Sequence, residues 1–402
     1  MVITYLDRVC ISVAGPRMQD ALHLGPVEWG WVTGIFTLSY AIFEIPSGML
    51  GDRIGPRKVL TRIVLWWSAF TSLTGLAMGL NPLLLIRFLF GVGEAGAFPN
   101  ASIALARWFP LRERGRAYGF VFMASQVGGM IAPLLVVPIQ IHYGWRASFY
   151  VFGILGVAWS AVWYAWFRDT PKEMHGVTQA ELNETLDLPL KAHHGLPWKI
   201  AFRSMNFWAI NCAAFCVVYT FNFFQTWFHT YLVKAHGYSE HDLLLSSLPF
   251  LVAALANLAG GLASNAFVIR FGLKLGRRYA AIAGLAVTTP CILAVYFVQQ
   301  PLWVLALLSL AYGGITFQQP AMFAASLDMG GEYAGAVVGA LNTASQMGSL
   351  SSSLAFGYIV AHFGSYNLPF IPMAALSLIG FLLWLKVDAS RPLVRTVEAE
   401  VA

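Results

Sequence analysis

Five ionisable residues stand inside stretches that otherwise read as hydrocarbon: Asp7 and Arg8 in "TYLDRVCISVAG", Glu44 in "LSYAIFEIPSG", and Arg87 and Glu94 in "RFLFGVGEAG". A charge at the centre of a bilayer costs about 2.5–3.5 kcal/mol on insertion scales, so such groups face a partner or a wet cavity and mark a pathway. Arg87 and Glu94 are seven residues apart, which on an α-helix puts them on one face two turns apart, with Gly91 on the stripe between them. Two carboxyls and two guanidiniums in that setting can run proton chemistry: Asp7 and Glu94 take up and release protons, Arg8 holds an anion, and Arg87 tunes the acids. An anion that engages Arg8 favours protonation of a neighbouring acid, so proton and anion bind with mutual help. The plain alternative is a structural ion pair that locks the first helix to the fourth, although buried pairs rarely add net stability.

The elements that must position these groups are membrane helices. The 402 residues are 58% hydrophobic and 11% charged, against about 25% charged in an ordinary soluble domain. Mean hydropathy is +0.64. Apolar runs long enough to cross a bilayer recur along the chain without the alternation of a membrane barrel. Breakers divide them into twelve expected spans: 1–19, 27–50, 59–79, 82–108, 116–140, 145–167, 204–234, 242–270, 279–298, 301–327, 335–360 and 367–387. The polar stretch 168–203 is expected to be a cytoplasmic linker between six-helix bundles at 1–167 and 204–387, with a cytoplasmic tail at 388–402.

With both termini cytoplasmic, the cytoplasmic loops hold 20 of the 25 Lys and Arg and the opposite side only Arg17, Arg146 and Lys234, the bias of the positive-inside rule. The net charge of +6 is thus a topology signal, and no nucleic-acid partner is expected. Cys10, Cys212, Cys216 and Cys291 fall in apolar segments without ligand-like spacing and are expected to be small buried hydrophobes. No HExxH, GxSxG or Gly-rich phosphate loop is present, so neither an enzyme nor a cofactor or metal site is expected. An internal repeat links "ASQVGGMIAPLLVVPIQIHYG" from Ala124 with "ASQMGSLSSSLAFGYIVAHFG" from Ala344, a shift of 220 that also carries Arg57 and Lys58 onto Arg277 and Arg278. Such repeats are a common construction of secondary transporters.

"GMLGDRIGPRKVL" between the second and third spans resembles the signature loop of the major facilitator superfamily. "TYLDR", "RFLFGVGEAGAFPN", "ERGRA" and "GWR" resemble its anion:cation symporter branch, which includes hexuronate, galactonate, glucarate and phthalate carriers, sialin and the vesicular glutamate transporters. The resemblance implies an all-α membrane protein with a 12-helix major facilitator fold, two six-helix bundles related by pseudo-twofold symmetry, and a monomeric state. The first helix begins six residues before Asp7, about half a helix short of the family's pattern. The resemblance implies proton coupling at Asp7 and Glu94 and substrate binding at Arg8, Tyr40 and Asn342. It also implies that the loop Asp52, Arg53, Arg57 and Lys58 forms a charge contact that gates one conformation, where the residues alone would allow a solvated basic turn.

Gln126 inside the fifth span is either interhelical glue or a ligand contact. Glu44, one turn beyond Tyr40, is a gate, a link to the signature loop or a proton-transfer group. In the second half, Asn222, Trp227, His229, Tyr231, Gln318, Gln319 and Asn342 offer a neutral polar and aromatic wall suited to hydroxyl-rich ligands, and Trp227 is expected to bind substrate. The function expected is a proton-coupled symporter in the plasma membrane importing a small organic anion, a sugar acid of hexonate, hexuronate or glucarate type. The alternative is an organic-anion exchanger or exporter without net proton coupling.

Overall fold

The computed structural model describes residues 1–109, 111–174, 176–179, 182, 197–239 and 241–393, with the side chains at 45, 52, 106, 111–119 and 332 outside the description. Much of the expected linker, the tail from 394 onward and the side chains of Asp52, Arg112, Arg114 and Arg116 therefore lie outside the described residues. Among the described residues there are fourteen α-helices and no strand. They are α1 (Val2–Leu22), α2 (Pro26–Ile54), α3 (Pro56–Thr74), α4 (Leu80–Glu94), α5 (Ala97–Trp108), α6 (Leu111–Tyr143) and α7 (Trp145–Trp166), then α8 (Trp198–Ala201), α9 (Met205–Thr226), α10 (Phe228–His236), α11 (Ser247–Phe297), α12 (Pro301–Gly330), α13 (Ala334–Phe363) and α14 (Phe370–Trp384). In hydrocarbon the backbone polar groups have no water to bond, and a helix satisfies them within the segment. Proline opens α2, α3 and α12, where its missing N–H costs nothing.

Four expectations about span boundaries differ from the structure. The fourth span, expected as one helix over 82–108, breaks at Ala95 and Gly96, where Gly96 has φ 89. The seventh breaks at Trp227 between α9 and α10. The loop expected between spans 27–50 and 59–79 shrinks to a turn at Gly55 (φ 86, ψ 147), because glycine alone tolerates that backbone and Pro56 restarts the helix at once. The eighth and ninth spans meet in the same way at Gly272 (φ 78, ψ 169) inside α11.

These turns also correct the internal repeat. Gly144 and Gly364, which end α6 and α13 with φ 80 and 65, obey the shift of 220. Gly55 and Gly272 differ by 217, so in the loop Arg57 matches Lys274 rather than Arg277.

The chain divides into two compact units, Met1–Lys191 with Ser239–Leu244 and Ala192–Tyr238 with Leu245–Ala402. In the first, α1 lies along α6, α2 along α4, and α3 along α7 and α4. In the second, α9 lies along α13 and α14, and α11 along α12 and α14. The first crossing thus pairs with the fifth and the seventh with the eleventh, the repetition expected of halves with a common design. Val59, Ile63, Val64, Trp67, Phe90 and Ala97 form a buried core in the first unit, with Phe36 packed against it. Of the four cysteines, Cys10 and Cys216 are buried, but Cys291 is half-buried and Cys212 exposed, because an apolar side chain in a membrane helix can equally face lipid.

The backbone at Gly272 lies in a region that only glycine occupies without strain, so Gly272→Ala should cost about 1–3 kcal/mol. In the interior of α13, where nothing stands within 4 Å of an added Cβ, Gly339→Ala should be neutral or stabilise by up to about 1 kcal/mol. Thermal melts of the two variants in detergent check both expectations.

Candidate functional site: an acid and arginine cluster in the first unit

Four of the five in-span ionisable residues come together where α1, α2 and α4 meet. Arg8 Nε donates to Glu94 Oε1 at 2.5 Å. The Arg8 side chain keeps 22% of its surface exposed while Glu94 keeps 1%. Its guanidinium also lies over three rings, 4.9 Å from the Tyr40 centroid, 5.2 Å from Phe36 and 5.6 Å from Tyr5. Arg87 is buried, with its guanidinium 4.8 Å from the Phe36 centroid and 4.7 Å from Phe90, and its Nε has no hydrogen-bond partner. Asp7 is buried beside the Trp67 indole, within electrostatic reach of Glu94 and Arg87, with no ion-pair contact to its carboxyl among the described residues. Glu94 Oε2 is unpaired.

The local chain explains the convergence. Gly91 sits on the stripe between Arg87 and Glu94, and a Cβ there would collide with Ser39 Oγ and stand 2.6 Å from Phe36 O. Its bare Cα lets α2 press against α4 and carries Phe36 and Tyr40 to the arginines. Glu94 is the last residue of α4, so the acid stands at a helix C-terminus inside the crossing. Pro99 has no N–H to offer Ala95, and the Asn100 side chain bridges the break by donating to Gly96 O at 2.8 Å and Ser47 O at 3.2 Å. Free carbonyls at a helix C-terminus favour a nearby cation, which suits the Arg8 guanidinium. Hydropathy alone had not resolved this break, although Gly96 and Pro99 were its signal.

The remaining predicted residues are placed as follows. Glu44 is buried in α2 within electrostatic reach of Tyr40, and Gln126 is buried in α6. In the second unit Asn342 is half-buried on α13. Trp227, expected on a ligand wall, is fully buried, stacked on Phe356 at 4.6 Å, and its N–H donates to Ser353 O at 3.2 Å. Phe223, Phe224, Tyr231 and Tyr312 join the same aromatic core. Asn222 donates to Ser353 Oγ at 2.9 Å and Ser349 O at 3.1 Å, and accepts from Ser349 Oγ at 2.5 Å, tying α9 to α13. His229 bonds Ser246 at 2.9 Å. Gln318 is fully buried with both amide ends unpaired.

In the signature loop Arg53 and Lys58 are exposed. Arg57 is engaged within its own unit: Nε donates to Tyr164 O at 3.0 Å, and the backbone N–H donates to Asp169 Oδ1 at 2.8 Å. The second unit has a counterpart, in which Arg278 Nη2 donates to Val387 O at 2.7 Å and Lys274 pairs with Asp388 at 3.1 Å. Asp169 and Asp388, which anchor these loops to the ends of α7 and α14, were not singled out in the sequence because each stands in a polar stretch among many others.

A helical membrane protein whose one unit buries two carboxyls and two arginines together, with one guanidinium still reachable, has the build of a transporter and not of an enzyme. The chain belongs to the Major Facilitator Superfamily, whose family model matches residues 1–353. It is 34% identical over 386 residues to the probable sulfoacetate transporter SauU of Cupriavidus necator, covering 94% of this chain and 89% of that one. It is 29% identical over 398 residues to the D-galactonate transporter of Escherichia coli, covering 95% and 91%. Over 387 residues it is 30% identical to the probable galactarate/D-glucarate transporter GudP of Bacillus subtilis, covering 91% and 84%. The crystal structure of a bacterial homolog of the human lysosomal transporter Spinster shares the fold, with a TM-score of 0.77 at 20% identity over 97% of this chain and 94% of that one.

Burial alone would raise the Asp388 carboxyl, but hydrogen bonds from Ser390 and Lys274 outweigh it and hold the group below its ordinary value of 3.8. A depressed acid stabilises the fold above its unfolded-state value, and that contribution is lost as pH falls through the folded-state value. Asp388→Asn should therefore cost about 1 kcal/mol at neutral pH, and melts followed into acid should show the variant and the wild type converging.

Proposed function

We propose that the protein is a proton-coupled symporter that carries a small organic anion across the plasma membrane, with both termini cytoplasmic and the two six-helix bundles spanning 1–167 and 204–387. The observation that carries this reading is the Arg8–Glu94 pair. Of the four clustered groups only Arg8 keeps substantial exposure, and its one hydrogen bond to Glu94 uses Nε. The two Nη edges of the planar fork therefore remain for a carboxylate or sulfonate, which a guanidinium meets with two parallel bonds.

An anion bound there competes with Glu94 for the Arg8 charge. The acid then gains less from being ionised, and a proton on Glu94 and an anion on Arg8 support each other's binding. Asp7 supplies a second place to carry a proton, because a carboxylate buried without an ion-pair contact is expensive and the neutral acid is not. Coupled groups of this kind titrate together. The reachable fork can hold one carboxylate or sulfonate head, and the names of the relatives, sulfoacetate, D-galactonate and galactarate/D-glucarate, are all those of small acids that carry at least one such group. A sugar acid is the ligand favoured here. The Arg57 and Lys274 loops are read as the parts that hold one conformation, each fastened to its own unit.

Uptake of labelled D-galactonate and sulfoacetate into proteoliposomes of the full chain tests this. An inward proton gradient should drive accumulation and a protonophore should abolish it. Arg8→Ala should weaken anion binding by about 1.5–3 kcal/mol, roughly ten- to hundredfold, and Glu94→Gln should leave uptake indifferent to the gradient. Wild-type uptake that ignores pH would refute coupling, and counterflow without any gradient would then favour an exchanger.

A further inference from the structure

Phe36 was not among the residues singled out from the sequence, yet its ring is common to both arginines of the cluster. Arg8 Cζ lies 5.2 Å and Arg87 Cζ 4.8 Å from its centroid. The two guanidiniums repel each other electrostatically, and Arg87 is buried while Arg8 is half-buried. An aromatic face presents negative potential to a cation, and the attraction grows where water is excluded. The ring is held in place from several sides: Phe90 at 5.6 Å, Tyr40 at 6.0 Å, and the α4 backbone at Gly91, where an added Cβ would stand 3.3 Å from Phe36 Cδ2.

We propose that Phe36 is a positioning residue for anion recognition: its ring offsets the repulsion between Arg8 and Arg87 and holds Arg8 with Nε on Glu94 and its two Nη edges turned to an incoming carboxylate or sulfonate. The inference rests on the reading that Arg8 receives the anion. A purely apolar side chain of similar bulk keeps the packing against Phe90 and the Trp67 core but has no quadrupole. Without it Arg87 loses one of the two rings beside it among the described residues and Arg8 one of three. Glu94, which feels both guanidiniums, is then shared differently between them. The anion site and the proton site change together.

Phe36→Leu removes the aromatic face and Phe36→Tyr keeps it, with Phe36→Met in reserve should the leucine variant not fold. The full chain in detergent is titrated with D-galactonate and with sulfoacetate over a range of pH, and the Glu94 carboxyl is followed by infrared spectroscopy, assigned with Glu94→Gln. The leucine variant should bind about two- to thirtyfold more weakly, with a melt close to wild type and a displaced pH midpoint of the Glu94 band. The tyrosine variant should restore both. Wild-type affinity and an unmoved band in the leucine variant would overturn the proposal, as would equal losses in the leucine and tyrosine variants, which mark a packing role. Should the wild type bind neither acid, the transport reading fails by itself, and the infrared comparison still decides Phe36: a band displaced by leucine and returned by tyrosine supports it, and identical bands overturn it.

Discussion

A guanidinium inside a membrane bundle persists only if something replaces its hydration, and in this protein the Arg8–Glu94 pair does so. The 2.5 Å contact joins α1 to the end of α4, and the centroids of three aromatic rings lie 4.9–5.6 Å from the guanidinium carbon. Such a pair seldom improves stability over an apolar replacement, since two ions must be desolvated to form it. Several local features accommodate the pair. Gly91 admits α2, the interruption at Ala95 and Gly96 ends α4 at Glu94, and Asn100 bridges the interruption by donating to Gly96 O and Ser47 O.

The two units answer the same packing plan with different chemistry. The first buries carboxyls and guanidiniums, while the matching interior of the second is neutral: Asn222, Ser349 and Ser353 tie α9 to α13, and stacked rings fill the space around Trp227. What the units share lies in their loops. Arg57 and Arg278 each donate to a carbonyl near the end of the last long helix of their own unit, and Asp169 and Asp388 fasten the same loops. The clustered acid and arginine groups thus lie in the first unit, while loop contacts of the Arg57 and Arg278 kind occur in both.

How much of this was legible in the sequence follows from what each signal measures. Charge in an apolar run is a direct statement about desolvation, so Asp7, Arg8, Arg87 and Glu94 stood out, and helical spacing placed two of them on one face. Hydropathy averages over a window and is blind to φ, so the break after Glu94 and the tight turns at Gly55 and Gly272 were smoothed into spans and loops. Aromatic residues were the hardest to place. An apolar ring has the same periodicity whether it packs, lines a cavity or meets a cation, which is why Phe36 went unnoticed among 29 phenylalanines. Asp169 and Asp388 became meaningful only once the fold brought distant carbonyls and arginines beside them.

The central claim is that one arginine links an anion to a proton on Glu94, and counting protons during binding measures that link directly. Calorimetric titration of the purified chain with D-galactonate in two buffers of different ionisation enthalpy, at a pH near neutrality, gives the number of protons exchanged per anion bound. The account predicts net proton uptake in the wild type and its reduction in Glu94→Gln, with binding retained. Anion binding that exchanges no protons at any pH, or an exchange unchanged in Glu94→Gln, would contradict it.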